Sequence, residues 1–126
     1  MTPVSPGELL DKLTILDIKS ERIVDSDKLA NVAHEKQLLE SVWRESKLET
    51  PETVRLRAEL KKINEKLWEI EDAIRDEERA RRFGERFIEL ARAVYVTNDE
   101  RAAVKKAINE ALGSKIVEEK SYSDYR

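Results

Sequence analysis

The sequence has no cysteine, one histidine, three glycines and three prolines in 126 residues. Without cysteine there is no disulfide framework, no thiolate metal site and no cysteine nucleophile. With His34 as the one histidine, a His-based triad and an H-E-x-x-H metal pair are both excluded. Glycine and proline fall far below their usual ~7% and ~5%, and sheet proteins consume those residues in turns. An all-β fold is therefore not expected. No apolar run approaches the ~18 residues of a membrane-spanning helix. The start, MTPVSPGELL, has no basic segment leading into an apolar one, so no signal peptide is read there. A cytoplasmic protein with no membrane partner is expected.

What the chain has is charge. Charged residues make up 40%, with Lys and Arg totalling 24 and Asp and Glu 27, for a net charge of −3. Abundant charge of both signs with a small balance marks salt-bridged helix faces. A nucleic-acid partner would ask for a basic surface, and none is expected here.

Apolar periodicity predicts one all-α domain over residues 1–126. Ser5-Pro6-Gly7-Glu8 is a helix start, with Ser5 as cap and Pro6 in the first position. Helix 1 follows with the seam Leu9, Leu13, Leu16, Ser20, Ile23, while Ile15 and Ile18 lie roughly opposite. Apolar on two sides, helix 1 is either the centre of a bundle or an intersubunit contact. After Asp25-Ser26-Asp27, helix 2 carries Leu29, Val32, Lys36, Leu39 and Trp43; His34 falls on its polar side. Thr50-Pro51 starts helix 3, whose stripe Leu56, Leu60, Ile63, Leu67, Ile70, Ile74 keeps a seven-residue repeat to about Arg79. The short connection predicts an antiparallel coiled-coil-like hairpin of helices 2 and 3, with Trp43 on Leu56, Leu39 on Leu60, Val32 on Leu67 and Leu29 on Ile70. Lys36 is expected to carry its ammonium out to water or to Glu59. Past Gly84, a C-terminal helix pair is predicted: one from about Glu85 to Val96, one from the capping-box spacing Thr97–Glu100 to Leu112, capped by Gly113. Residues 114–126 read as an extended or partly ordered tail.

Candidate chemistry is sparse. Glu65, Glu69 and Asp72 share one face of helix 3, the carboxylate type that holds Mg²⁺ or Mn²⁺ together with substrate phosphates. With Glu49 and Glu52, the spacing formally resembles the paired acidic motif of all-helical, metal-dependent nucleotide pyrophosphatases, although Glu49 and Glu52 straddle a predicted turn. Arg79, Arg82 and Arg86 form an anion-binding triplet if the helix continues through them. Asp11, Lys12, Lys19 and Arg22 make a polar cluster on helix 1, whose members must pair wherever that helix is buried.

The stretches Val4-Ser5-Pro6-Gly7-Glu8-Leu9-Leu10-Asp11-Lys12-Leu13-Thr14-Ile15-Leu16, Glu21-Arg22-Ile23, Leu67-Trp68-Glu69-Ile70-Glu71-Asp72, Phe83-Gly84, Phe87-Ile88-Glu89-Leu90-Ala91-Arg92 and Tyr95-x-Thr97-Asn98-Asp99 carry a resemblance over nearly the full length. The chain resembles a family of small bacterial helical proteins of unknown function. That resemblance implies relatives in bacterial and phage contexts and near cell-surface polysaccharide genes, and it supplies no catalytic residue. The leading expectation is a non-enzymatic helical interaction or adaptor protein without a cofactor. It is expected to form a homodimer with two-fold symmetry, with room for a further protein partner. One alternative is a metal-dependent hydrolase of phosphorylated compounds using Glu65, Glu69 and Asp72. The other is an accessory or ligand-binding protein of a polysaccharide pathway using Arg79, Arg82 and Arg86.

Overall fold

The computed structural model describes residues 5–113, which form α1 (Pro6–Arg22), α2 (Ser26–Ser46), α3 (Pro51–Arg79) and α4 (Glu85–Ala111) with no strand among them. The protein is an all-α bundle. The tail expected at 114–126 lies outside the described residues. No helix among the described residues is long and apolar enough to cross a membrane.

Three helix starts follow from local chemistry. The first turn of a helix leaves backbone N–H groups without intrahelical acceptors, and a short polar side chain at the cap supplies one. Ser5 Oγ accepts from the Glu8 N–H at 3.2 Å. Asp25 Oδ1 accepts from the Asp27 and Lys28 N–H groups at 2.9 and 3.1 Å. Thr50 Oγ1 accepts from the Thr53 N–H at 3.1 Å, while Thr53 Oγ1 accepts from the Thr50 N–H at 2.8 Å. Pro6 and Pro51 take first helical positions, where no N–H is missed.

The predicted C-terminal helix pair is instead one helix. α4 runs unbroken through Thr97–Glu100, and Leu112, not Gly113, is its C-terminal cap. Neither glycine nor proline interrupts that stretch, and Thr97 is fully buried instead of turning its hydroxyl to a cap. Continuous hydrogen bonding plus burial outweighs the weak preference of Thr and Asn for helix ends.

α1 is the central helix, packed against α2, α3 and α4. Its two apolar sides are thereby used within the chain, and Leu10, Leu13, Leu16 and Ile18 are each at most 2% exposed. One core takes residues from every helix: Leu10 and Leu13, Trp43, Leu56 and Leu60, then Val104 and Ile108, with Leu112 just past α4. The α2–α3 hairpin keeps its antiparallel register at the closed end, where Trp43 and Leu56 share this core and Arg57 forks onto Glu40 at 2.8 and 3.3 Å. The backbones of α2 and α3 nowhere come within 8 Å (Cα–Cα), and α2 packs on α1. Asp17 of α1 bridges the two, lying 2.8 Å from Lys36 of α2 and 3.7 Å from Arg57 of α3. The ammonium of Lys36 thus pairs with Asp17, not Glu59. The long, close antiparallel pair is α3 with α4.

At 1.5 Å per residue α3 is about 43 Å long and α1 about 25 Å. The side-chain hydrogen bonds from α1 reach no farther along α3 than Glu69, and on α4 no closer to its start than Arg101. The remainder of α3 and the first half of α4 form a two-helix arm.

Candidate functional site

Two places in the molecule depart from a plain helical bundle. The first is a charge centre inside it. Asp11, 4% exposed, faces α3 and α4 from the middle of α1. Its Oδ1 accepts from Asn64 Nδ2 and from Arg101 Nε, both at 2.9 Å, and its Oδ2 accepts from Arg101 Nη2. Lys105 Nζ lies 3.8 Å from the same carboxylate and 2.7 Å from Glu8. Thr14 Oγ1 donates to the Asp11 carbonyl at 2.7 Å and accepts from Asn64 Nδ2 at 2.9 Å. Burial pushes the Asp11 carboxyl up, but the hydrogen bonds from Arg101 and Asn64, and the charges of Arg101 and Lys105, outweigh it and hold the group below its ordinary value. The same bond raises Arg101. A buried carboxylate is tolerated only when paired in this way.

Gly7 makes the centre possible. A side-chain Cβ there would sit 2.6 Å from the Lys105 carbonyl oxygen, so a glycine lets the first turn of α1 close on α4. The Gly7 N–H, one of the unpaired donors of that turn, reaches Asn109 Oδ1 at 2.8 Å. One helical turn before Arg101, Thr97 is fully buried and its hydroxyl has no partner among the described residues.

Beside the centre is a cleft of about 210 Å³ walled by Ile15, Ile18, Leu67 and Trp68, with Asn64, Glu71 and Arg101 at its polar side. The Arg22 guanidinium lies over Trp68, 6.0 Å from the ring centroid.

The second place is the arm. Its inner seam, Ile70, Ala73, Ile74, Phe87, Ala91 and Val94, is only half-buried, and Leu90 is its one buried apolar residue. Phe83, Ile88, Tyr95 and Val96 are 51%, 50%, 73% and 57% exposed. Tyr95 and Val96 lie seven and eight residues after Ile88, which puts the three on one face of α4.

The candidate residues read from sequence are only partly brought together. Of the helix 1 cluster, Asp11 is at the centre, Lys12 pairs with Glu35 at 3.0 Å on the surface, Arg22 reaches Glu69 at 3.4 Å, and Lys19 makes no ion pair among the described residues. Glu65, Glu69 and Asp72 do not converge. Glu69 is taken by Arg22, Asp72 lies 3.3 Å from Arg75, and among the described residues no group of three His, Cys, Asp or Glu could hold a metal ion. Arg79, Arg82 and Arg86 do not form a helical triplet, because α3 ends at Arg79 and Arg81 turns the chain with φ 55°. Arg79 pairs with Asp76, and Arg82 forks onto Glu77 at 2.8 and 3.3 Å, which raises the arginine and lowers the glutamate. His34 is exposed, as expected.

Sequence reasoning missed Asn64, Arg101 and Lys105. A signal for Arg101 was present: Leu90, Val94, Thr97, Arg101, Val104 and Ile108 are spaced 4, 3, 4, 3, 4, a single seam with two polar members.

Among known proteins, the chain belongs to the family described as "Family of unknown function (DUF6165)", whose model matches residues 2–125. No curated protein and no solved structure matches it.

Proposed function

We propose, taking membership in this family of unknown function as the premise, that the chain is a non-enzymatic helical interaction protein that pairs with a second copy of itself through the α3–α4 arm. The observation that carries this reading is the arm's burial: one buried apolar residue, Leu90, against four large apolar side chains that are half or more exposed. Two helices cover only one side of each other's apolar stripe, and association of two such pairs into four completes it. A two-fold axis makes the same patch serve both copies. Clustered exposed apolar side chains on one helix face are a mark of an interaction site. Mixed charge and a net −3 favour a protein partner over nucleic acid.

The test is sedimentation equilibrium of the wild type and of Ile88→Glu and Tyr95→Glu. The wild type is expected to sediment as a dimer that dissociates on dilution, and each variant as a monomer with an unchanged helical circular dichroism signal. Three proteins sedimenting alike would refute the reading.

A further inference from the structure

The cleft beside the charge centre is equipped for a ligand that carries charge of both signs. Arg101 spends Nε and Nη2 on Asp11, and its Nη1 has no hydrogen-bond partner among the described residues. Asn64 spends its amide nitrogen on Asp11 and Thr14, and its Oδ1 accepts from no described residue. Glu71, exposed, is near enough to Arg101 to raise it, and its nearest cation is Arg75 at 3.6 Å. The polar lining of the cleft therefore includes an unused cationic donor, an amide acceptor and a carboxylate. The other walls, Ile15, Ile18, Leu67 and Trp68, are apolar. Asp11 holds the Arg101 guanidinium in place from behind, so no rotamer freedom is lost in presenting it, and a preorganised arginine recognises carboxylate by a planar fork.

We infer that this cleft binds a small zwitterion with an apolar side chain, of the size and chemistry of an aliphatic α-amino acid. The ligand carboxylate takes the open edge of Arg101, and its ammonium lies between Glu71 and Asn64 Oδ1. The aliphatic group fills the space between Ile15, Ile18, Leu67 and the Trp68 ring. The volume of about 210 Å³ admits one such molecule and no drug-sized ligand. Ionised groups of both signs and a side chain are all required together, because each polar group of the cleft left without a partner on binding costs affinity.

Backbone and indole N–H resonances read the site, with L-leucine as the probe up to about 10 mM, the range in which so small a ligand binds. 4-Methylpentanoate, which lacks the ammonium, and 3-methylbutylamine, which lacks the carboxylate, are the controls. Leucine is expected to move the amides of Ile15, Ile18 and Asn64 and the Trp68 indole, leaving the Trp43 indole in place. Each control is expected to bind about tenfold more weakly, the value of one charge-assisted contact. Glu71→Gln, an exposed position, is expected to keep the wild-type melting temperature and weaken leucine to the level of the acid control. Absence of shifts with leucine, shifts elsewhere on the surface, or equal binding of leucine and either control overturns the inference. An unchanged leucine affinity in Glu71→Gln overturns it as well.

Discussion

The body of the bundle and its arm are built from the same α3 and α4, yet they solve burial in opposite ways. In the body, α1 supplies a third and central layer, and Leu10, Leu13, Leu60 and Ile108 are completely buried. In the arm the same two helices continue without it, and Leu90 is the one apolar side chain there that is buried. The apolar spacing does not change between the regions. What changes is the number of helices around the seam, so helix periodicity alone does not decide burial. A helix stripe is buried by its neighbours, and where α1 ends the arm leaves apolar side chains exposed.

The comparison predicts unequal costs for equivalent truncations. Leu60→Ala removes a completely buried side chain from the four-helix core and is expected to cost about 2–5 kcal/mol in urea unfolding. Ile74→Ala, in the half-buried seam of the arm, is expected to cost about 1 kcal/mol or less in dilute protein, where the cavity term is absent. Equal costs would mean that the arm is as well packed as the body.

Next in size is the charge centre, a feature confined to the body. Asp11→Asn leaves Arg101 without its carboxylate, and Lys105 with Glu8 alone, and is expected to destabilise by about 3 kcal/mol near neutral pH. The carboxyl is held below its ordinary 3.8 in the folded protein, so its contribution is complete above that value. As pH falls from there through the lowered folded value the contribution is lost, and the gap between wild type and Asp11→Asn narrows. A gap that is independent of pH in acid would contradict the ion-pair account.

The smallest effect separates two buried threonines. Thr97 buries a hydroxyl with no partner among the described residues, and Thr97→Val, of the same shape, is expected to stabilise by about 1 kcal/mol. Thr14→Val, which removes the acceptor of Asn64, is expected to destabilise by a similar amount, about 1 kcal/mol. Thermal melts of the two variants check the opposite signs.

Much of the fold was legible because its signals are local. Ser5, Asp25 and Thr50 cap as their side-chain chemistry requires, and Pro6 and Pro51 mark helix starts. The break expected at Thr97 was read from the same local chemistry and lost to a tertiary cause, burial of that side chain against its neighbours. The α2–α3 pairing was legible at the turn, where chain connectivity forces proximity. It was not legible farther out, where a two-sided α1 displaces α2 from α3. For the charge centre, the need for Asp11 to find partners followed from the apolar character of α1. Their identity did not, because Asn64 and Arg101 are separated from it by 53 and 90 residues.

In the proposed pairing a second copy covers the arm and leaves the body as it is. Hydrogen exchange of backbone amides, measured on dilute and on concentrated protein, tests it region by region. On concentration, the arm amides of residues 83–96 are predicted to exchange more slowly while those of α1 and of residues 101–111 in α4 stay unchanged. Arm amides that exchange at the same rate at both concentrations would contradict it.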